Sequence, residues 1–314
     1  MSNVATETGL ADRTDEDRNV LERWSRLAIL DSDRVYRGLF AVIVGFFLLI
    51  ALFPFYWLLL LALTPERLFS DLGLVPIAFN VASFLEAFQV VPFHWYMLNS
   101  IVMALMTTVI VIVIGSVAGY VFGRLDFRGK TALLLVVLII SYFPPTAFLI
   151  PVFNLLTGNV EVLGISSPRL YNGPGAIVLP LSALVMPLAI YILATFFSQI
   201  PDGLEDASRI EGSTRLGALY RVIMPLAAPG VATIAILTFI ITYNEFFFSF
   251  LMTNGEPENW SPIVWGITRY QGTRAIQYNL MAAASIVGVI PMALIVVLAQ
   301  EKIVSGLTAG ALKE

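Results

Sequence analysis

The chain has 314 residues, of which 58% are hydrophobic and only 13% are charged, and its net charge is −4. Soluble domains carry about 25% charged residues, so this composition indicates a polytopic α-helical membrane protein. The sequence has no cysteine, which excludes disulfides, thiolate metal sites and cysteine nucleophiles, and its acidic balance argues against nucleic acid as a partner.

The first 36 residues are polar and hold eight acidic residues and five arginines. This composition predicts an N-terminal tail (1–36) and not a cleavable signal peptide. Within the tail, Leu21, Trp24 and Leu27 recur at helical spacing between charged residues. Two interpretations stay open for this stretch: a short helix lying on the membrane surface, or a tail without regular structure.

Residues 37–303 form the predicted transmembrane domain, because six apolar runs in it are each long enough to cross a bilayer as a helix. The predicted spans cover residues 38–63, 95–122, 131–156, 175–197, 226–252 and 280–299. An amphipathic segment at 83–88 is predicted to lie along the outer surface. The fold class is therefore all-α, with six transmembrane helices.

A polar, charge-rich stretch at residues 200–225 lies between two apolar runs, and we call it the polar hairpin. Pro201 ends the helix before it. Asp202 is predicted to cap a new helix, with Glu205 completing a capping box. Gly212 stands where a left-handed residue would end that helix.

The polar hairpin is predicted to hold two short amphipathic helices, the second capped by Thr214 and closed by Pro225. Their apolar residues recur at helical spacing: Leu204, Ala207 and Ile210 in the first helix, and Leu216, Leu219, Tyr220 and Ile223 in the second. Helices this short need a packing partner. The hairpin either rests on its own membrane domain or is presented to a second protein.

Glu245 is the only acidic residue deep inside a predicted span. Ionisable groups in a membrane are costly and suggest a function. Together with Tyr243 and Asn244 it is a candidate for the lining of a translocation path. The alternative is a carboxylate that stabilises the helix bundle through hydrogen bonds.

The sequence contains no catalytic or metal-binding constellation. It has one histidine, His94, in an aromatic stretch typical of a membrane edge, and it lacks paired intramembrane carboxylates and a phosphate-binding glycine loop. An intramembrane enzyme is therefore disfavoured. An ion-coupled secondary transporter would show several intramembrane ionisable groups and internal repeats, which this sequence also lacks.

The distribution of basic residues predicts the orientation in the membrane. Fourteen of the 18 lysines and arginines lie in the N-terminal segment, the loop after the second span, the polar hairpin and the C-terminal segment. The other side holds four: Arg67, Arg169, Arg269 and Arg274. Both termini and the polar hairpin are therefore predicted to be cytoplasmic.

The polar hairpin resembles the coupling loop, or EAA loop, of ABC importer permeases. That loop follows the pattern E-A-A, three residues, G, nine residues, I-x-L-P. Here the pattern reads Asp206-Ala207-Ser208, then Gly212 at the required spacing, and then the VIMP sequence that ends at Pro225. Four positions differ conservatively, while the glycine, the proline and the spacing are kept.

Further stretches resemble the maltose-type sugar permeases almost from end to end. They lie at residues 53–57, 99–100, 120–130, 244–246, 281–283 and 300–313. The loop at 157–174 departs from that family because it is longer than usual, and the chain ends in Glu314 where the family usually has glycine.

The resemblance implies the permease fold of a type I ABC importer, in the cell membrane, with a sugar or oligosaccharide as the transported solute. The implied partners are a homologous second permease, two ATP-binding cassette subunits and an extracellular solute-binding protein, in a complex surrounded by membrane lipid. ATP and Mg²⁺ would be bound by the ATP-binding subunits, and this chain would hold no cofactor.

Particular residues are carried over with the resemblance. The residues implied to couple to the ATPase are Glu205, Asp206, Ala207, Glu211, Gly212 and Pro225. In the family the C-terminal end of the chain, here including the tail at 304–314, reaches toward the ATPase dimer. The residues implied to make that contact are Gln300, Gly306, Thr308 and Gly310.

Overall fold

A computed structural model describes residues 32–272 and 276–308. The chain divides into two compact units, with the boundary between Trp57 and Leu58. The predicted surface helix near residue 24 lies outside the described residues, as do Arg274 and Gly310.

The regular structure of the described residues is mainly helical. The helices are α1 (Ser32–Leu63), α2 (Ser83–Val90), α3 (Phe93–Arg124), α4 (Lys130–Ile140), α5 (Pro145–Leu156), α6 (Gly175–Ser198), α7 (Asp202–Ile210), α8 (Arg215–Leu226), α9 (Ala228–Tyr243), α10 (Phe247–Met252), α11 (Ile263–Thr268) and α12 (Tyr278–Thr308). Short 3₁₀ turns cover Glu66–Asp71 and Pro257–Asn259. The antiparallel strands β1 (Glu161–Val162) and β2 (Ile165–Ser166) form one small hairpin.

Four of the described helices, α1, α3, α6 and α12, are individually long and apolar enough to cross a membrane. Two further crossings require bent pairs: α4 with α5, at 86°, and α8 with α9, at 85°. The prediction of four continuous spans is therefore confirmed. The other two predicted spans, 131–156 and 226–252, were each predicted as one continuous segment. That prediction was wrong, because each is divided into separate helices.

The third predicted span, 131–156, is broken between α4 and α5. Pro144 and Pro145 follow the end of α4, and Pro144 has an extended backbone (φ −63°, ψ 131°). Proline supplies no amide donor and disfavours helical geometry in the residue before it. The two adjacent prolines explain why a continuous apolar run does not form one helix.

The fifth predicted span, 226–252, is interrupted near both ends. The chain bends at Ala227, and Pro229 then stands in the first turn of α9, where its missing N–H is tolerated. At the other end α9 stops at Tyr243, and the separate helix α10 begins at Phe247. The break at 244–246 thus lies inside the predicted span.

Helices α3 and α6 pack side by side at very short range. A Cβ atom added to Gly119 would lie 2.8 Å from Leu193 Cβ, and one added to Gly123 would lie 2.7 Å from the carbonyl oxygen of Ala194. Only glycine permits this approach, as in small-residue helix contacts within membranes. The contact fixes the end of α3 against α6.

A second core lies where α3, α9, α11 and α12 meet, and it is rich in tyrosine. The hydroxyl of Tyr96 donates to the Gly255 carbonyl oxygen (2.9 Å), and that of Tyr270 donates to the Ala87 carbonyl oxygen (2.7 Å). Buried tyrosines usually find such partners. Ala87 belongs to α2, so the predicted amphipathic segment is a helix docked by one face.

Candidate functional site

The polar hairpin consists of α7, a tight turn and α8. Helix α7 begins after Pro201, which is its N-cap residue in an extended conformation, and no side chain caps it. The predicted capping box is therefore wrong. Asp202 and Glu205 make different contacts, because an arginine from another helix lies close enough to pair with both carboxylates.

That arginine is Arg124, the last residue of α3, whose side chain is 4% exposed. Its Nε donates to Glu205 Oε2 at 2.9 Å, and its Nη2 pairs with Asp202 Oδ1 at 2.9 Å. Its Nη1 donates to the carbonyl oxygen of Ile200 at 2.5 Å. The remaining Glu205 oxygen accepts a hydrogen bond from the hydroxyl of Tyr120, one turn earlier on α3.

The electrostatics of this contact favour an ionised Glu205. Burial has the largest influence and by itself raises the pKa of the Glu205 carboxyl. Hydrogen bonds from Tyr120 and Arg124, with the charges of Arg124 and Arg209, outweigh it and hold the pKa below its ordinary value. The carboxylate is therefore charged at neutral pH, as a buried ion pair requires.

The turn between the two helices has the predicted geometry. Gly212 has a φ of +95°. Its N–H donates to the Arg209 carbonyl oxygen, and the N–H of Ser213 donates to that of Ser208, each at 3.0 Å. This is the hydrogen-bond pattern of a Schellman motif. Thr214 then accepts a hydrogen bond from the Gly217 N–H at 3.1 Å, which confirms it as the cap of α8.

The apolar residues of the hairpin fall into two groups. Leu219 and Ile223 are fully buried in a core shared with α3 and α6. Leu204, Ile210 and Leu216 are 46%, 87% and 54% exposed. Thus α8 anchors the hairpin to the membrane domain, while α7 presents an uncovered apolar stripe.

The other predicted coupling residues lie on the surface of the hairpin. Asp206, Ala207, Glu211 and Pro225 are exposed, the last in the final turn of α8. Glu205, by contrast, is only 7% exposed. Glu205 therefore differs from the other predicted coupling residues, because its side chain faces the membrane domain.

The three candidate path residues lie together at the break between α9 and α10. Tyr243 is buried and its hydroxyl donates to the Gly288 carbonyl oxygen at 2.7 Å. Asn244 is exposed and borders a cavity of about 350 Å³ that also contacts Glu245 and the proline-rich start of α5.

Glu245 is 7% exposed, and its carboxylate accepts hydrogen bonds from two backbone amides of α10, those of Phe248 (2.5 Å) and Ser249 (3.2 Å). It therefore satisfies the open amides at the start of α10. This geometry favours the interpretation of Glu245 as a stabilising group.

Three of the four candidate tail residues, Gln300, Gly306 and Thr308, fall in the last turns of α12, which continues as a helix through Thr308. Gln300 is exposed. Gly306 and Thr308 lie within the helical backbone. The described helix therefore extends past residue 303, where the sequence pattern had placed the start of the tail.

The sequence assigned no contact with the hairpin to Tyr120 or Arg124, although both lie in the stretch 120–130 that resembles the sugar permeases and Arg124 counts among the basic residues that set orientation. A signal was present: Gly115, Gly119 and Gly123 recur every four residues just before Arg124. Such spacing predicts a close contact between two helices. An arginine at the end of the first helix then lies beside the segment that follows the second helix, which here is the polar hairpin.

Comparisons with known proteins agree with this architecture. Residues 112–304 match the family model described as the binding-protein-dependent transport system inner membrane component. The chain is 35% identical to the sulfoquinovosyl glycerol transport system permease protein SmoH of Agrobacterium fabrum, over 83% of this chain and 89% of that protein.

A second relative is the trehalose/maltose transport system permease protein MalG of Thermococcus litoralis, 33% identical over 87% of this chain and 96% of that protein. Among solved structures, a bacterial ABC transporter involved in the import of the acidic polysaccharide alginate matches with a TM-score of 0.69. It is 19% identical and covers 86% of this chain and 97% of that chain, so it supports the fold alone.

The matched region contains the polar hairpin, the break at Glu245 and the C-terminal part of α3, including Tyr120 and Arg124. Both relatives are transport permeases that align over most of their length. The chain belongs to the family of binding-protein-dependent transport system inner membrane components, and it is a multi-pass membrane permease subunit of an ABC importer.

Proposed function

We propose that this permease imports a sugar or oligosaccharide and that its polar hairpin docks on an ATP-binding subunit. The sugar assignment is supported by the relatives, which are permeases for a sulfoquinovosyl glycerol and for trehalose and maltose.

The observation that carries the docking proposal is the uncovered apolar stripe of α7. Ile210 is 87% exposed and Leu204 is 46% exposed, while the opposite face of α7 is held by Arg124 through Glu205. A helix fixed on one face with apolar residues on the other suits recognition by a groove in a second protein. Asp206, Ala207 and Glu211 would border that contact, with Gly212 and Pro225 setting the shape of the hairpin.

The complete transporter in this proposal has a homologous second permease, two ATP-binding cassette subunits and an extracellular solute-binding protein. ATP and Mg²⁺ are bound by the ATP-binding subunits, and this chain supplies no cofactor site. ATP closes the ATPase dimer, and the hairpins transmit that rigid-body motion to the membrane helices, which open alternately to each side.

Two further regions belong to the proposal. Both termini and the hairpin face the cytoplasm, as the basic residues favour. The C-terminal segment, with Gln300, Gly306, Thr308 and Gly310, reaches the ATPase dimer. Of the residues at the α9–α10 break, exposed Asn244 is best placed to meet solute, with Tyr243 and Glu245 supporting it.

The docking proposal is tested by Ile210→Asp, which places a charge in the apolar stripe. We expect the variant to insert normally and to lose co-purification with the ATP-binding subunit, because burying an unpaired carboxylate is costly. The matched control is Leu163→Asp, on the β1–β2 hairpin, where the leucine is 98% exposed. Equal ATPase recovery from both variants would contradict docking through α7.

The sugar proposal is tested by uptake into cells that carry the complete transporter. Radiolabelled trehalose, maltose and longer oligosaccharides are offered, with amino acids as the comparison class. We expect accumulation of at least one sugar, abolished by Ile210→Asp. Uptake of an amino acid and of no sugar would overturn the solute assignment while leaving the docking result intact.

A further inference from the structure

The feature that carries a further inference is the three-way contact of Arg124. Its guanidinium reaches the Ile200 carbonyl oxygen, Asp202 and Glu205, so one side chain holds both the connection from α6 and the first turn of α7. In sequence, Arg124 is 76 residues from Ile200 and 81 residues from Glu205. The contact therefore joins α7 to a helix that is not its neighbour along the chain.

The two helices of the hairpin are anchored differently. Helix α8 is fixed by burial of Leu219 and Ile223 in the core with α3 and α6. Helix α7 has nine residues, and Glu205 is the one buried residue among them. A helix this short does not hold its own orientation in water. Its position thus depends on the contacts that α3 makes with Glu205 and Asp202, most of which come from Arg124.

The end of α3 that carries Arg124 is packed tightly against α6. The preceding glycines, Gly119 and Gly123, bring α3 against α6 so closely that an added Cβ would lie under 3 Å from α6 atoms. Tyr120, between them, donates to Glu205 from the same turn. A displacement of α7 is therefore passed directly to a packed pair of membrane helices.

We propose that Arg124 is the positioning residue that makes α7 move together with α3. This inference rests on the proposed docking of the hairpin and adds the route by which its motion enters the membrane domain. Without Arg124, α7 keeps its peptide connections to α6 and α8 and the single hydrogen bond from Tyr120 to Glu205. We expect a push on α7 then to tilt that helix instead of moving α3.

The geometry also explains why arginine is needed. Two nitrogens of the planar guanidinium donate hydrogen bonds to Glu205 and Ile200, and the third pairs with Asp202, whereas lysine has a single ammonium group on a flexible chain. We therefore expect Arg124→Lys to restore part of the contact, and Arg124→Ala to lose all of it. The matched control is Arg128→Ala, because Arg128 lies four residues after Arg124 and is exposed.

The test measures distances between spin labels in the purified complex with its ATP-binding subunits, without nucleotide and with ATP and vanadate. The native chain has no cysteine, so labels can be placed singly or in pairs. One pair joins Val117→Cys on α3 to Ser208→Cys on α7. A reference pair joins Val117→Cys to Arg221→Cys on α8, which stays anchored.

In the otherwise native chain and in Arg128→Ala we expect a narrow α3–α7 distance distribution that is kept in both nucleotide states. Arg124→Ala is expected to lose the narrow α3–α7 distribution while keeping the α3–α8 distribution, and Arg124→Lys is expected to lie between them. Loss of both distributions in Arg124→Ala, or a native-like distribution in it, would overturn the proposal. If Arg124→Ala cannot be purified, Arg124→Lys decides, and a native-like result for it equally overturns the proposal.

Failure of this inference is distinguishable from failure of the docking proposal. Ile210→Asp tests docking through recovery of the ATP-binding subunit, and Arg124→Ala leaves the apolar stripe unchanged. Loss of ATPase in Ile210→Asp together with native-like distances in Arg124→Ala would remove only the role of Arg124. Retention of ATPase in Ile210→Asp would remove the docking proposal itself.

Discussion

At the scale of single residues, Gly212 has the most specific backbone requirement in the hairpin. Its φ is +95°, and an added Cβ would meet no atom within 4 Å, so strain and not collision opposes a side chain. A left-handed conformation costs an L-residue roughly 1–2 kcal/mol. We expect Gly212→Val to leave the permease inserted but to misdirect α7 relative to α8, weakening ATPase recovery and abolishing ATP hydrolysis stimulated by the binding protein.

The control for this prediction uses the same position. Asparagine enters the left-handed region more readily than other residues with a Cβ. Gly212→Asn should therefore keep most of the ATPase recovery and stimulated hydrolysis. Equal loss in both variants would show that the hairpin rejects any side chain there and that φ is not the reason.

Glu245 gives the second prediction at this scale. Both carboxylate oxygens accept backbone hydrogen bonds at the start of α10. Glu245→Ala leaves those amides without a partner and is expected to lower the free energy of unfolding by about 1–3 kcal/mol. Glu245→Gln keeps one acceptor and should lose less. Thermal unfolding of the purified complex measures both.

Glu256→Ala is the comparison for Glu245, since Glu256 makes an exposed ion pair with Arg269. Such pairs contribute little, so its unfolding should match that of the native chain. Native-like unfolding of Glu245→Ala combined with lost uptake would place Glu245 in the translocation path instead.

These residues show what sequence can and cannot supply at a functional site. Gly212 and Thr214 act on neighbours within five residues, so their roles were readable from local spacing. Glu205 looked like a capping residue because that pattern is also local. Its actual partners, Tyr120 and Arg124, are 85 and 81 residues away, and only the packing of α3 on α6 brings them together.

At the scale of elements, hydropathy located all six apolar segments but not the breaks within them. The break after α4 had a visible cause in Pro144 and Pro145. The break after Tyr243 did not, because residues 244–246 are followed by another apolar run and hydropathy is insensitive to backbone direction. What hydropathy could not show is that the Glu245 carboxylate accepts hydrogen bonds from the first amides of α10.

The contact between α3 and α6 gives a prediction for this scale. In Gly123→Ala the new Cβ would lie 2.7 Å from a backbone oxygen of Ala194, which cannot move aside as a flexible side chain would. We expect the free energy of unfolding to fall by about 1–3 kcal/mol, as for other overpacked cores. Thermal unfolding of the purified complex is again the measurement.

Gly45→Ala is the matched substitution, because Gly45 is also helical and an added Cβ would meet nothing within 4 Å. Its stability should be unchanged or slightly raised, since alanine favours a helix by about 1 kcal/mol over glycine. Similar unfolding of the two variants would mean that α3 and α6 are less closely packed than described.

At the scale of the whole molecule, the orientation of the chain decides whether the hairpin can meet an ATPase at all. Basic residues favour a cytoplasmic hairpin and cytoplasmic termini. If the loop at 125–129 is also cytoplasmic and α6 crosses the membrane to reach the polar hairpin, the β1–β2 hairpin lies outside, and we expect the bent pair α4–α5 to cross the membrane once. Helix pairs bent by 86° are compatible with a broken span or with a re-entrant loop.

Single-cysteine labelling in intact cells separates these topologies. We expect Leu163→Cys, on the β1–β2 hairpin, to react with a membrane-impermeant maleimide from outside, because Leu163 is 98% exposed. Arg128→Cys, in the loop before α4, should react only after the membrane is permeabilised. The native chain, which has no cysteine, is the unlabelled control. Labelling of both positions from one side would make α4–α5 re-entrant, and the reversed pattern would place the polar hairpin outside, away from ATP.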